Sequence, residues 1–303
     1  MITVGLPRAL LYYKFSVLWE TFFRELGCDV VASGETTGKM LEDGCSDAVD
    51  ECCLPAKIFL GHVRAVKDSC DVLFVPRMTG FGRNEELCAR FYGLYDIVRT
   101  IHPAVPLLRC NISGEGDEGL SQIGKTLGIG WWRVESARRR AVQAQHKEWR
   151  RQADEQEKKW SQNSVDAKVL IAAQPYILHD RLMGGMVTQM VKEQGGQIMY
   201  SDRCGRHCAE MSRVIAPRMY WAMNKEYTGA IAHNRRRADG VILLTAFPCG
   251  GGALVSEMIT RSVSEVPMTQ ILLDGMQGEG GMQTRVECFM DIVQERRRKS
   301  IAV

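Results

Sequence analysis

The sequence predicts an α/β protein in which two parallel-sheet domains are joined by a long helix. Through the first hundred or so residues, short apolar runs alternate with amphipathic helical patterns. Residues 131–162 are charged along their length and hold neither glycine nor proline. After them the alternation of apolar run and helical pattern resumes and continues to the C-terminus. Strands alternating with helices imply parallel sheets, because a parallel pair needs a crossover connection and a helix supplies it.

Taken in order, TVGLP reads as a strand and residues 9–26 as a helix. CDVVAS is the second strand, and helical patterns follow through Asp68. CDVLFVP and VPLLRCNIS are the third and fourth strands of this half. Gly27-Cys28-Asp29-Val30-Val31 and Ser69-Cys70-Asp71-Val72-Leu73 echo one another, each a strand opening after a helix, which marks repeated αβ units rather than a repeat array. Residues 131–162 form one uninterrupted helix, since nothing in them breaks the pattern. AKVLIAAQPY, GQIMYS, GVILLTAFPCGGG and MTQILLDG are the strands of the second half. Helical patterns lie at residues 183–194, on to Arg237, after the GGG turn, and from about Gln283. The expected boundaries are an N-terminal α/β domain at 1–115, a helical connector at 116–165 and a C-terminal α/β domain at 166–303.

With 303 residues, 45% of them hydrophobic and 25% charged, the chain has the composition of a soluble globular protein. Met1 leads straight into an apolar strand pattern, with no basic leader and no apolar run of about 18 residues, so a cytoplasmic protein without a membrane span is expected. The net charge of +3 is small, and Arg138-Arg139-Arg140, Arg235-Arg236-Arg237 and Arg296-Arg297-Arg298-Lys299 lie among acids on helical stretches. They read as solvated helix faces, not as nucleic-acid contacts. Eleven cysteines is a high, odd number for a reducing compartment, where structural disulfides are rare, so some of them are expected to bind metal.

Three cysteines fall where a strand or loop gives way to a helix, the places at which open α/β sheets bind ligands. Cys249 sits between the strand VILLTAF and a helix, in the turn Pro248-Cys249-Gly250-Gly251-Gly252. Cys53 precedes Leu54-Pro55, and proline favours a first helical turn. Cys88 follows RMTGFGRNEEL and precedes a helical run. Each can be a small buried hydrophobe or a ligand; the shared position favours ligands. Cys52, next to Cys53, points elsewhere and reads as a neighbour that a larger metal centre could still engage. Cys28, Cys70 and Cys288 lie at strand or helix core positions, and Cys45 and Cys110 also read as core. Asp202-Arg203-Cys204-Gly205-Arg206-His207-Cys208 spaces two thiols four residues apart around a histidine, which on a helix would share a face. No second C-x-x-C closes a zinc site with them.

The segments VGLPRALLYYKFSVLWETFFRELGCDVV, VDECCLPAKIFLGHV, DVLFVPRM, CARFYGLYDIVR, DGVILLTAFPCGGGALVSEMI and LLDGMQGEGGMQTRVECFMDI carry a family likeness over nearly the whole chain outside the connector. The sequence resembles the iron-sulfur proteins related to 2-hydroxyacyl-CoA dehydratases and benzoyl-CoA reductases, most closely the acyl-CoA dehydratase activase-related domain. The resemblance implies two Rossmann-like domains with a four-iron four-sulfur (4Fe-4S) cluster in the cleft between them. It also implies that Cys53, Cys88 and Cys249 are the ligands and that one iron is left open. It further implies a low-potential electron-transfer or reductase component of anaerobic metabolism. Electrons would come from a separate ATP-dependent activase and go to a small substrate such as an acyl-CoA. Related proteins hold a double-cubane cluster, for which Cys52, Cys204 and Cys208 offer further thiolates, and a non-catalytic partner of an activase is a third reading. No G-x-x-x-x-G-K-[ST] is present, so ATP hydrolysis falls to another protein. Residues 114–119 fit G-x-G-x-x-G but are acidic and read as a polar loop. The glycine-rich segment 277–285 reads either as a structural αβ turn with Thr284 capping the last helix or as a loop that brings Glu279 and Arg285 to the cleft. Trp131, Trp132, Trp149 and Trp160 on a charged helix read either as packing against the two domains or as a contact surface, and a homodimer or a complex with the activase is expected.

Overall fold

The computed structural model describes residues 1–82, 85–112, 114, 117, 119–162, 166–275 and 279–301. It is mixed α/β with parallel sheets, and the chain divides into two compact units. Unit 1 is Met1–Glu148 with Tyr220–Ala222, and unit 2 is Trp149–Met219 with Met223–Val303.

Unit 1 contains β1 (Thr3–Leu6), α1 (Tyr12–Glu25), β2 (Asp29–Ala32), α2 (Gly38–Asp47), α3 (Leu54–Val66), β3 (Val72–Phe74), α4 (Arg90–Ile101) and β4 (Leu107–Leu108). The sheet runs β2-β1-β3-β4, all parallel, with Val4 level with Val30 on one side and Val72 on the other. Val4, Leu6, Leu73 and Phe74 are buried, as central strands covered on both faces require. Phe15, Leu18, Trp19, Phe22 and Phe23 give α1 one apolar stripe. Trp19 and Phe23 meet Phe74 edge-on at 5.3 and 5.1 Å.

Two local differences from the sequence reading stand out. The first helix starts at Tyr12, not at residue 9, because Leu10 is left-handed (φ 51) and breaks the helical run just beyond β1. The apolar run 105–113 divides into β4 and a second short piece, Asn111–Ile112, which pairs in parallel with Arg77–Met78.

Helices α2 and α3 touch backbone to backbone. A Cβ on Gly44 would lie 1.8 Å from the Lys57 carbonyl oxygen, and one on Gly61 would lie 1.8 Å from that of Met40. Only glycine permits this approach, and it fixes the helix whose N-terminus carries Cys53.

Helix α5 (Trp131–Trp160) matches the reading of residues 131–162 as one helix, and the unit boundary falls within it. In unit 1 its Val134, Ala137 and Ala141 are fully buried, and Gln145 Oε1 accepts the Leu18 N–H at 2.9 Å. In unit 2 the Gln156 amide pairs both ways with the Tyr200 backbone, at 3.0 and 2.8 Å, and Trp160 is buried.

Unit 2 contains β5 (Ala167–Ala172), α6 (Met186–Glu193), β6 (Gly196–Tyr200), α7 (Arg206–Glu210), α8 (Ala222–Asn234), β7 (Gly240–Ala246), α9 (Gly250–Ser262), β8 (Met268–Leu273) and α10 (Glu279–Ile301). Its parallel sheet runs β6-β5-β7-β8. All seven residues of β7 are buried, which is why this strand is a continuous apolar run in the sequence. The last helix starts at Glu279, about a turn before Gln283, ahead of its buried Met282, Val286, Phe289, Met290 and Val293. Among the described residues no helix is long and apolar enough to cross a membrane.

Candidate functional site

In each sheet the strand order reverses beside the first strand, between β1 and β3 in unit 1 and between β5 and β7 in unit 2. Crossover helices leave in opposite directions there, and a crevice opens at the carboxyl ends of the strands.

In unit 1 that crevice is apolar, lined among others by Leu6, Pro7, Leu10, Phe59, Phe74 and Phe91. Cys53 is the N-cap of α3, with extended backbone (φ −67, ψ 149) and Pro55 in the first turn. Its carbonyl accepts the N–H groups of Ala56 and Lys57 at 2.9 and 3.1 Å. The Cys53 side chain is half-buried, whereas Cys52 is buried and hydrogen-bonds through its N–H to the Val49 carbonyl at 2.9 Å. Cys88 is exposed, two residues before α4, and its carbonyl accepts the Phe91 N–H at 3.0 Å. The stretch before it is a short antiparallel ribbon, Gly80–Gly82 with Glu85–Glu86, rather than open loop.

One turn from the C-terminus of α3, fully buried His62 lies 2.8 Å from both Ser33 Oγ and Thr36 Oγ1. Ser33 Oγ also accepts the Arg8 N–H at 2.8 Å. A neutral imidazole meets both hydroxyls, donating from one nitrogen and accepting at the other. Burial first, and then the charge of Arg8, lower the His62 pKa to about 4.

In unit 2 the crevice is polar. Cys249 is the N-cap of α9, directly after the cis Phe247–Pro248 peptide, and its Sγ accepts the Gly252 N–H at 3.3 Å. Gln174, just beyond β5, donates from Nε2 to Asn224 Oδ1 at 2.9 Å, and Asn224 donates to the Gly251 carbonyl at 3.4 Å. Around this chain the side-chain oxygens Gln174 Oε1, Tyr227 OH, Thr245 Oγ1 and Ser256 Oγ are buried without a hydrogen-bond partner among the described residues. Burial, and then Cys249, raise the Tyr227 pKa above its ordinary value. Unpaired buried oxygens each cost about 1–3 kcal/mol. Gln174 and Thr245, at the ends of β5 and β7, give this crevice a polar lining suited to a polar or charged group.

The second cysteine group of unit 2 differs from its sequence reading. Cys204 lies ahead of α7 and is separated from it by Gly205 in a left-handed conformation (φ 80), so Cys204 and Cys208 do not share one helix face. The Cys204 thiol donates to the Tyr200 carbonyl at 3.5 Å, and Asn234 Nδ2 lies 3.6 Å from its sulfur. Cys208 is instead brought to two histidines. Its Sγ lies 3.4 Å from His207 Nε2, and the His207 and His233 rings meet edge-on at 5.6 Å. Burial raises the Cys208 thiol to about 11.

Residues 3–203 match the family described as CoA enzyme activase uncharacterised domain, DUF2229. The chain belongs to this family. The family segment contains Cys52, Cys53 and Cys88 and ends ahead of Cys204, Cys208 and Cys249. No curated protein matches the chain. Two solved structures align along it. One is the SBP FpvC from Pseudomonas aeruginosa in complex with Mn2+, at 10% identity and TM-score 0.30 over 97% of this chain and 99% of that one. The other is a FpvC mutant from the same organism, at 12% identity and TM-score 0.28 over 97% and 100%.

Of the remaining cysteines in this family member, Cys28 and Cys110 are buried and Cys70 is half-buried, in keeping with core positions. Cys45 and Cys288 are exposed, contrary to that reading, because each falls on the outer face of its helix. Each arginine cluster has ion-paired members: Arg138 and Arg139 share Glu135 at 2.8 and 3.0 Å, Arg140 meets Glu25 at 2.7 Å, Arg237 meets Glu157, and Arg297 meets Asp239 at 3.1 Å. Trp131 and Trp132 are exposed, stacked edge-on at 4.5 Å, while Trp160 is core. Arg285 is exposed on α10. Residues 277 and 278, the Glu279 side chain, and residues 115, 116 and 118 of the acidic G-x-G-x-x-G segment lie outside the described residues. Sequence reasoning missed Tyr227, Gln174 and His233, none of which lies on an element with a cysteine. Gln174 follows the apolar strand β5, and Tyr227 and His233 lie on the mixed helix AMNKEYTGAIAHN, where nothing in the local pattern singles them out.

Proposed function

We propose that this protein is an iron-sulfur component that accepts low-potential electrons from a separate ATP-dependent CoA enzyme activase and passes them to a small acyl-CoA-type substrate. Cys53, Cys88 and Cys249 are its cluster ligands, with a 4Fe-4S cluster as the cofactor and one iron free of protein thiolate. When bound, such a cluster supplies one-electron transfer and an open iron for substrate. Family membership supports the activase partner.

The observation that carries the reading is the surroundings of Cys249. Its sulfur already accepts an N–H bond from Gly252, and N–H bonds to a ligating sulfur both stabilise the thiolate and tune potential. Among the described residues, Gln174 Oε1 in that crevice and Tyr227 OH on α8 are buried without hydrogen-bond partners. Cys53, at the N-terminus of the 13-residue α3, has the helix end that favours a thiolate. At both residues the sulfur stands at a helix N-cap, a placement that suits a cluster ligand. Neither Cys204 nor Cys208 favours a larger cluster, since one is tied to Tyr200 and Asn234 and the other faces histidines.

Anaerobically purified protein is expected to be brown, with about four irons and four sulfides per chain. Cys53→Ala, Cys88→Ala and Cys249→Ala each remove the colour, and Cys28→Ala keeps it. Mixing the brown protein with activase, ATP and a reductant then bleaches the cluster reversibly. Colourless anaerobic protein that takes up no iron would overturn the proposal.

A further inference from the structure

Beyond the Cys249 crevice, unit 2 has a second group of ligating side chains. We infer that His207, Cys208 and His233 form a binding site for a single divalent transition-metal ion of the zinc class, separate from the iron-sulfur ligands.

The ligand atoms of these three residues all lie within 4.8 Å of one another. The set is two imidazoles and one thiol, the borderline donors that zinc and its neighbours prefer over carboxylate or water. Packing builds the arrangement. A Cβ on Gly229 of α8 would lie 2.0 Å from the Cys208 carbonyl oxygen, so the two helices meet backbone to backbone at that point. His233 lies four residues further along α8, on the same face, and is thereby delivered to the pair on α7.

Each donor is also oriented. The Cys208 thiol donates to the Cys204 carbonyl at 2.8 Å, which sets its rotamer. His207 turns Nε2 toward that sulfur at 3.4 Å. His233 Nδ1 lies 3.3 Å from the Met211 thioether. Sulfur of this kind only accepts, so Nδ1 carries the hydrogen and Nε2 keeps its lone pair. A ligating histidine ordinarily donates its other N–H to a neighbouring acceptor, and here the thioether fills that place.

On metal uptake the Cys208 S–H bond gives way to a sulfur–metal bond, and its proton leaves to solvent. Three protein ligands leave a fourth position of a tetrahedral ion open, and His207 is exposed, so that position faces water. Cys204 is outside the group: its sulfur is engaged by Tyr200 and Asn234.

The test is a Co2+ titration of the reduced, metal-stripped full chain carrying Cys53→Ala, Cys88→Ala and Cys249→Ala, so that the cluster thiols are silent. One equivalent should bind with a thiolate-to-cobalt charge-transfer band and the strong visible bands of tetrahedral Co2+, and Zn2+ should erase both. In the same background His207→Ala and His233→Ala should each weaken binding about 100-fold or more, and Cys208→Ser should abolish the charge-transfer band. Cys204→Ser should leave the titration unchanged. His207 is exposed, so its variant is expected to fold, and circular dichroism verifies this. Absence of the bands in the parent overturns the inference, as does tight Co2+ binding that survives either histidine variant in folded protein.

Discussion

The two strand-end crevices share a strand order and differ in chemistry. In unit 1 the crevice between β1 and β3 is walled by aliphatic and aromatic side chains, and the nearby α3 begins with Leu54 and Pro55, both buried. In unit 2 the crevice between β5 and β7 ends in a thiol that accepts a backbone N–H, beside the hydrogen-bonded Gln174 and Asn224. The same topology thus yields an apolar end in unit 1 and a polar end in unit 2. Topology offers the location, and the side chains at the strand ends decide the use.

If unit 1 is the well-packed side, perturbing its packing should be costly. Gly61→Ala forces a methyl group into the Met40 carbonyl, and a loss of about 3 kcal/mol or more in urea unfolding is expected, with Cys53 displaced along with α3. A loss below about 1 kcal/mol would show that α2 and α3 are free to separate and that the contrast is overstated.

The next effect is a pH dependence from His62. Its folded pKa of about 4 lies below its unfolded value of about 6.5, so between these the unfolded chain holds more protons and stability falls as pH falls. The contribution is fully present above about pH 6.5 and is lost toward pH 4, amounting to about 3 kcal/mol. Urea midpoints measured across this window should show the slope, and His62→Gln, which keeps both hydrogen-bonding roles without titrating, should flatten it.

The smallest effect tests unit 2. A buried tyrosine with a satisfied hydroxyl loses about 1 kcal/mol on becoming phenylalanine. Tyr227 OH has no partner among the described residues, so Tyr227→Phe should leave the metal-free protein as stable or more stable by about 1 kcal/mol. A clear destabilisation would mean that the hydroxyl is already satisfied and that the crevice is not awaiting a ligand.

Much of the architecture was legible because it rests on local periodicity. The long helix was read nearly to the residue from its unbroken charge pattern, and β7 from its apolar run. What escaped depended on backbone conformation or on contacts distant in sequence. Leu10 enters the left-handed region and delays α1; nothing in its identity announces that. Gly205 takes Cys204 out of the helix that carries Cys208, so a spacing of four did not give a shared face. His233 joins His207 across 26 positions, through the backbone contact at Gly229. The positions of Cys53 and Cys249 at helix starts were legible, because proline and glycine punctuate the sequence there. The polar crevice was not, because Gln174, Tyr227 and Thr245 come from three separate elements.

The central claim is that one thiol of the adjacent pair, Cys53, is a cluster ligand, while buried Cys52 is its neighbour. Iron content and reduction potential should be measured side by side for Cys52→Ser and Cys53→Ser, both prepared anaerobically. The account predicts full iron with at most a shifted potential in Cys52→Ser, and lost or labile iron in Cys53→Ser. Equal loss of iron in both variants, or full retention in Cys53→Ser, would contradict it.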